Sequence, residues 1–153
     1  MLQIDNRYQE LNKFVREVCT GRPDDEQKAT LRKFAAVLIC GFVERSVEIV
    51  VLERLRNRAQ PQVLAFIKSH FKRGTNYDCA AIGSLLERFD GEWKARFERA
   101  IQSNEAASES LKSIYSVRNS VAHGGTMGIG SSTLQQRFFD AKIVVDALID
   151  ATR

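Results

Sequence analysis

Only two histidines, two prolines, one tryptophan and three cysteines occur in this 153-residue chain, and each shortage narrows what it can do. With His70 and His123 alone, and cysteines that show no C-x-x-C spacing, a zinc site would be short of ligands, so neither a structural metal nor a cofactor is expected. Cys19, Cys40 and Cys79 are odd in number and far apart, which suits reduced thiols in a cytoplasm better than a disulfide framework. Long apolar runs are missing too. Nothing approaches the roughly 20 residues needed to span a bilayer, and Met1 to Asn6 is mixed polar, unlike a cleavable signal. A soluble, cytoplasmic protein without membrane contact is expected. No segment alternates convincingly like a strand, and no internal repeat is visible.

What is present is helical pattern. At 44% hydrophobic and 27% charged, residues 1–153 suit one domain, long enough to bury roughly 70% of the unfolded surface. Ile4, Tyr8, Leu11, Val15 and Val18 trace one stripe through a first helix over about residues 1–20, stopped by Gly21-Arg22-Pro23. Asp24-Asp25 offer an N-cap to a long second helix running towards Asn57, with Gly41 the place for a bend and Pro61 the end. Val63, Leu64, Phe66, Ile67 and Phe71 mark a shorter helix closed by Lys72-Arg73-Gly74, with Phe66 and Phe71 read as core. Asp78 is positioned to cap the next, which carries Ile82, Leu85, Leu86 and Phe89 and is broken by Asp90-Gly91. Glu92 to Ser103 is amphipathic through Trp93, Phe97 and Ile101. Leu134, Phe138, Ile143 or Val144, and Leu148 mark the last helix, after a glycine-rich loop over 124–133 that reads as mobile. The fold class is all-α, a four-helix bundle core with additional short helices.

The most informative segment is Arg118-Asn119-Ser120-Val121-Ala122-His123, followed at once by Gly124-Gly125. Arginine carries a planar, permanent charge that fits phosphate oxygens, and histidine trades protons near neutrality. On a helix at about 100° per residue, Asn119 and His123 share a face with Ser116 and Ser120 beside them, while Arg118 lies about 140° from His123. Both reach one phosphate only if the helix ends near His123 or a partner helix completes the cleft, and the glycine pair favours that ending. Leu111, Ile114, Val117 or Arg118, and Val121 form the core-facing side. Taken by composition alone the motif has an equally good structural reading, in which Arg118 complements the helix dipole and His123 caps the last carbonyls.

A family likeness shifts that balance. Arg-Asn-x-x-x-His on a late helix of a small helical chain resembles the R-x4-6-H motif of the HEPN superfamily, in which a polar residue typically follows the arginine. Gly41-Phe42-Val43-Glu44 in a long helix, Leu85-Leu86-Glu87-Arg88-Phe89 leading to Trp93, the motif helix and a closing amphipathic helix together resemble the RiboL-PSP-HEPN group from about Ala29 onward. The resemblance implies a metal-independent endoribonuclease of toxin or defence type, working as a homodimer with a composite active site. A toxin role further implies an antitoxin protein.

Metal-free RNA cleavage needs a 2′-hydroxyl to lose a proton, attack phosphorus and expel a 5′-oxygen while charge gathers on the phosphoryl oxygens. His123 suits the proton transfers, Arg118 the oxygens, and Asn119 the orientation of either phosphate or imidazole. Ser120 is a candidate substrate contact. The formal charge is +4 with a pI near 9.1, which permits an anionic partner such as RNA. Arg54, Arg56, Arg58, Lys68, Lys72 and Arg73 follow one another without an intervening acid, either as a phosphate track with Arg54, Arg56, Arg58, Lys72 and Arg73 as contacts or as a solvated face. Two other chemistries are weaker. Gly124 to Gly130 lacks the order of a phosphate-binding loop, and a Ser116 or Ser120 nucleophile with His123 has no orienting acid nearby in sequence. The alternative to an enzyme is a catalytically inactive HEPN module binding RNA, a nucleotide or a protein. An intact Arg118, Asn119 and His123 set favours the enzyme, because a binding module has less need of a proton-transfer residue.

Overall fold

The computed structural model describes residues 1–21, 26–71 and 75–153, and among them the chain forms seven α-helices and no strand. They are α1 (Leu2–Cys19), α2 (Glu26–Leu55), α3 (Pro61–His70), α4 (Cys79–Glu87), α5 (Gly91–Gln102), α6 (Glu105–Ala122) and α7 (Ser131–Ala151). The fold is all-α, as the stripes predict. The expected caps at Asp24-Asp25 and the stop at Lys72-Arg73-Gly74 lie outside the described residues.

The apolar stripes decide the packing. Ile4, Leu11, Val15 and Val18 of α1 are buried, at the i, i+3, i+4 and i+7 positions that put side chains on one helix face. The long α2 is buried on several sides, from Ala35 and Ile39 to Val47 and Val51, because α1, α6 and α7 all pack along it. Those four helices make the bundle core. Tyr8, Phe42 and Phe138 join three of them, with Tyr8 stacked on Phe138 at 4.8 Å between ring centres and Phe42 6.0 Å from Tyr8. Helix α2 continues through Gly41 without interruption.

Short helices cover the bundle. Asp78 caps α4, its Oδ1 accepting from Ala81 N at 2.8 Å, and Asp90 caps α5 by accepting from Glu92 N at 2.8 Å. Both satisfy first-turn amides that have no partner inside the helix. Helix α4 packs on α5, and α5 on α7, through buried Trp93 and Phe97. Pro61 opens α3 rather than only ending α2, where its missing amide costs nothing. Helix α3 has no buried residue, and Phe66 is 64% exposed. The core position expected for Phe66 is therefore corrected: Ile67 is the α3 residue that packs against the core, while Phe66 faces outward beside His70, with ring centres 4.5 Å apart.

A buried polar link joins α6 to α7. Asp140 accepts from Ser110 and from Gln136 Nε2 at 2.9 Å, while Arg137 Nη1 donates to Ser110 Oγ at 2.6 Å. It fixes the register of the helix that carries the motif against its neighbour.

Candidate functional site

Helix α6 ends at Ala122 because the next three residues are built to stop it. His123 is the C-cap, Gly124 follows at φ +72°, and the amides of Gly124 and Gly125 return to Val121 O at 3.2 Å and Ser120 O at 2.7 Å. This is the Schellman arrangement, in which a left-handed residue turns the chain back onto orphan carbonyls. Glycine is required twice over. A left-handed φ disfavours any side chain at 124, and a Cβ at 125 would fall 2.3 Å from Ser120 Oγ and 3.0 Å from Ser120 O. Ser120 Oγ also accepts from Met127 N at 3.3 Å.

The segment after the cap is tied down further along. Arg32, itself buried, donates from Nε to Ile129 O at 3.0 Å, and Ile129 packs against the core. Ser131 to Thr133, expected in the loop, already form the first turn of α7. His123 is thereby presented at a fixed helix end with its ring exposed, and among the described residues the imidazole has no hydrogen-bond partner.

Arg118 is half-buried and held from two sides. Its Nη1 donates to Asn119 Oδ1 and to Asn76 Oδ1, each at 3.1 Å, and Asn76 Nδ2 donates to Asn119 Oδ1 at 3.3 Å. The three side chains close a small ring of hydrogen bonds that fixes one edge of the guanidinium. Asn76 comes from the stretch between α3 and α4, 42 residues upstream, and nothing in the sequence marks it. Asn119 Oδ1 accepts from both Arg118 and Asn76.

Glu44 on α2 is half-buried, and its Oε1 has no hydrogen-bond partner among the described residues. Loss of water raises the Glu44 carboxyl above the usual carboxylate range, with Arg118 pulling the other way. Burial pushes the Cys40 thiol up to about 12, aided by Glu44, and raises the Tyr115 and Tyr77 hydroxyls. All three cysteines are free.

The described residues of the basic stripe have different surroundings. Arg54 reaches the C-terminus of α7, donating from Nη2 to Ile149 O and from Nε to Thr152 Oγ1, both at 3.3 Å. There it satisfies a carbonyl that the ending helix leaves open. Arg56 is exposed and 4.0 Å from Glu53, and Arg58 is exposed. Lys72 and Arg73 lie outside the described residues. Among the described residues no three His, Cys, Asp or Glu side chains gather as a metal would require, and no helix is long and apolar enough to cross a membrane.

A small helical bundle that presents an anchored arginine and a free histidine at one helix end defines the class of the protein. The RiboL-PSP-HEPN family model matches residues 2–152, and the chain belongs to that family. No curated protein and no solved structure matches it.

Proposed function

We propose that the protein is a metal-independent endoribonuclease, cutting RNA by attack of the 2′-hydroxyl to leave 2′,3′-cyclic phosphate and 5′-hydroxyl ends. HEPN domains often act on RNA and often dimerise, which supports the reading. The observation that carries it is the pairing of a guanidinium fixed along one edge with an imidazole left free at a built helix terminus. A guanidinium so anchored loses little freedom on meeting a phosphate and keeps donors for the non-bridging oxygens. The imidazole is free to take or give a proton.

One chain supplies one such histidine, whereas the attacking hydroxyl and the leaving oxygen call for a base and an acid. A two-fold dimer that joins two α6 termini would supply both, and would give each His123 a partner to set its tautomer. Arg56 and Arg58, with Lys72 and Arg73, would extend the RNA contact, and Ser120 would lie beside the reacting phosphate. A toxin or defence role follows from the same reading and would require a neutralising protein. The second reading, an RNA- or nucleotide-binding module without catalysis, would use the anchored guanidinium of Arg118 and leave the imidazole idle.

Light scattering together with an RNA digest tests this. The protein should have twice the 17.3 kDa mass of the chain and fragment total RNA in the presence of chelator. A strict monomer that still cleaves would overturn the composite site, and intact RNA would select the binding module.

A further inference from the structure

We propose that the cavity between α3 and α4 is a base-binding subsite, in which one nucleobase of a single-stranded RNA stacks on Phe66 while an adjoining phosphate lies at Arg118. The proposal rests on RNA being the ligand, part of the reading above. The cavity holds about 230 Å³ and is lined by Phe66 and His70 of α3, Phe71 at its cap, Tyr77, and Arg88 and Phe89 just after α4. No acidic side chain lines it. Its volume is below the roughly 300–1,000 Å³ of pockets for drug-sized ligands and suits a single flat ring system. The exposed Phe66 stands at its rim and the buried Tyr77 at its floor, with Phe71 6.2 Å from Tyr77 between ring centres.

Aromatic rings alone would make only an apolar hollow. Two polar groups add what the edge of a base requires. His70 Nδ1 lies 3.0 Å from Phe66 O; a carbonyl can only accept, so Nδ1 carries the proton and Nε2 of the neutral ring is left as an acceptor. Arg88 is exposed, and its guanidinium forms no ion pair or hydrogen bond among the described residues. An acceptor and a set of donors beside aromatic faces match a nucleobase, which is held in single strands by stacking and by hydrogen bonds to its edge. An aliphatic side chain would use neither polar group. Position ties the cavity to the motif. Tyr77 directly follows Asn76, with Cα atoms about 3.8 Å apart, and Asn76 Oδ1 is the acceptor that holds Arg118. One short stretch before α4 thus carries both a wall of the cavity and the anchor of the guanidinium.

The test uses the His123→Ala protein, which should leave RNA uncut, and short single-stranded RNAs carrying 2-aminopurine at each position in turn. One position should lose fluorescence in the complex, as stacking requires, and an abasic nucleotide there should weaken binding about fivefold or more. Phe66→Ala added to H123A should weaken the base-bearing RNA by a similar factor but the abasic RNA by less than about twofold, because the two changes remove the same contact. Phe66→Trp should restore binding of the base-bearing RNA. Should F66A fail to fold, the abasic comparison in the H123A protein reads the same contact, and an abasic RNA bound as tightly as the base-bearing one at every position sinks the idea. Equal weakening of both RNAs by F66A, or quenching at no position, overturns the subsite and leaves RNA as the ligand. Absence of any RNA binding overturns the RNA reading and the subsite with it. Wild-type protein that binds RNA through Phe66 without cleaving it would remove the nuclease reading and support the subsite.

Discussion

Replacing Asn76 by alanine deletes two hydrogen bonds of the ring that holds Arg118, and the expected cost can be worked from their geometry. The stronger is the bond from the charged Nη1 to Asn76 Oδ1 at 3.1 Å; the weaker, from Asn76 Nδ2 to Asn119 Oδ1, is 3.3 Å long. A hydrogen bond to a charged group contributes about 1.5–3 kcal/mol. Here the lower end applies, because the half-buried arginine regains water and keeps Asn119. About 1.5 kcal/mol of lost positioning corresponds to roughly a tenfold slower chemical step. Single-turnover cleavage of a short RNA in chelator should therefore fall roughly ten- to thirtyfold, while circular dichroism stays that of the folded protein. Asn76→Asp sharpens the test. A carboxylate at the same place would pair with Arg118 and compete with phosphate, so cleavage should fall further while the melting temperature is kept. If both variants cleave within twofold of wild type, Arg118 does not work from the position that Asn76 gives it.

Other consequences concern the frame around the site. Gly125→Ala would force the Ser120 hydroxyl off Met127 N and press on the Ser120 carbonyl; the loss should be about 1–2 kcal/mol, or roughly 3–6 °C in Tm. Adding Ser120→Ala should recover only part of it in the same thermal scan, since the carbonyl contact stays. Asp140→Ala breaks the buried link between α6 and α7 and should cost about 2–3 kcal/mol by urea denaturation. Glu44→Gln should change the pH dependence of stability with a definite sign. The folded carboxyl is raised, so the native state binds more protons than the unfolded one above the ordinary glutamate range, and wild-type stability falls as pH rises through that window. The variant should therefore gain on wild type in Tm as pH rises from 4 to 7; a gap that is constant with pH would contradict the assignment.

The helices were legible where burial is one-sided. In α1 the stripe from Ile4 to Val18 repeats every three or four residues, and only a core on one face explains it. The end of α6 was legible as well, because Gly124-Gly125 have few uses other than stopping a helix. Local pattern gave no access to partners brought from afar. Asn76 is one asparagine in an irregular stretch, and its bond to Arg118 exists only once α4 has docked. Arg54 looked like one more cation in an acid-free run, yet the fold places it on the last turn of α7, almost a hundred residues away. Phe66 shows the converse: an apolar residue at helical spacing predicts an apolar face, but not that the bundle has surface left to cover it.

The central claim is that Arg118 and the imidazole of His123 cut RNA without a metal. The direct measurement is to incubate a defined RNA with wild-type and His123→Ala protein in chelator and determine the chemistry of the new ends. The account predicts fragments ending in 2′,3′-cyclic phosphate and 5′-hydroxyl from the wild type and intact RNA from the variant. Equal cleavage by both proteins, or ends carrying a 5′-phosphate, would contradict it.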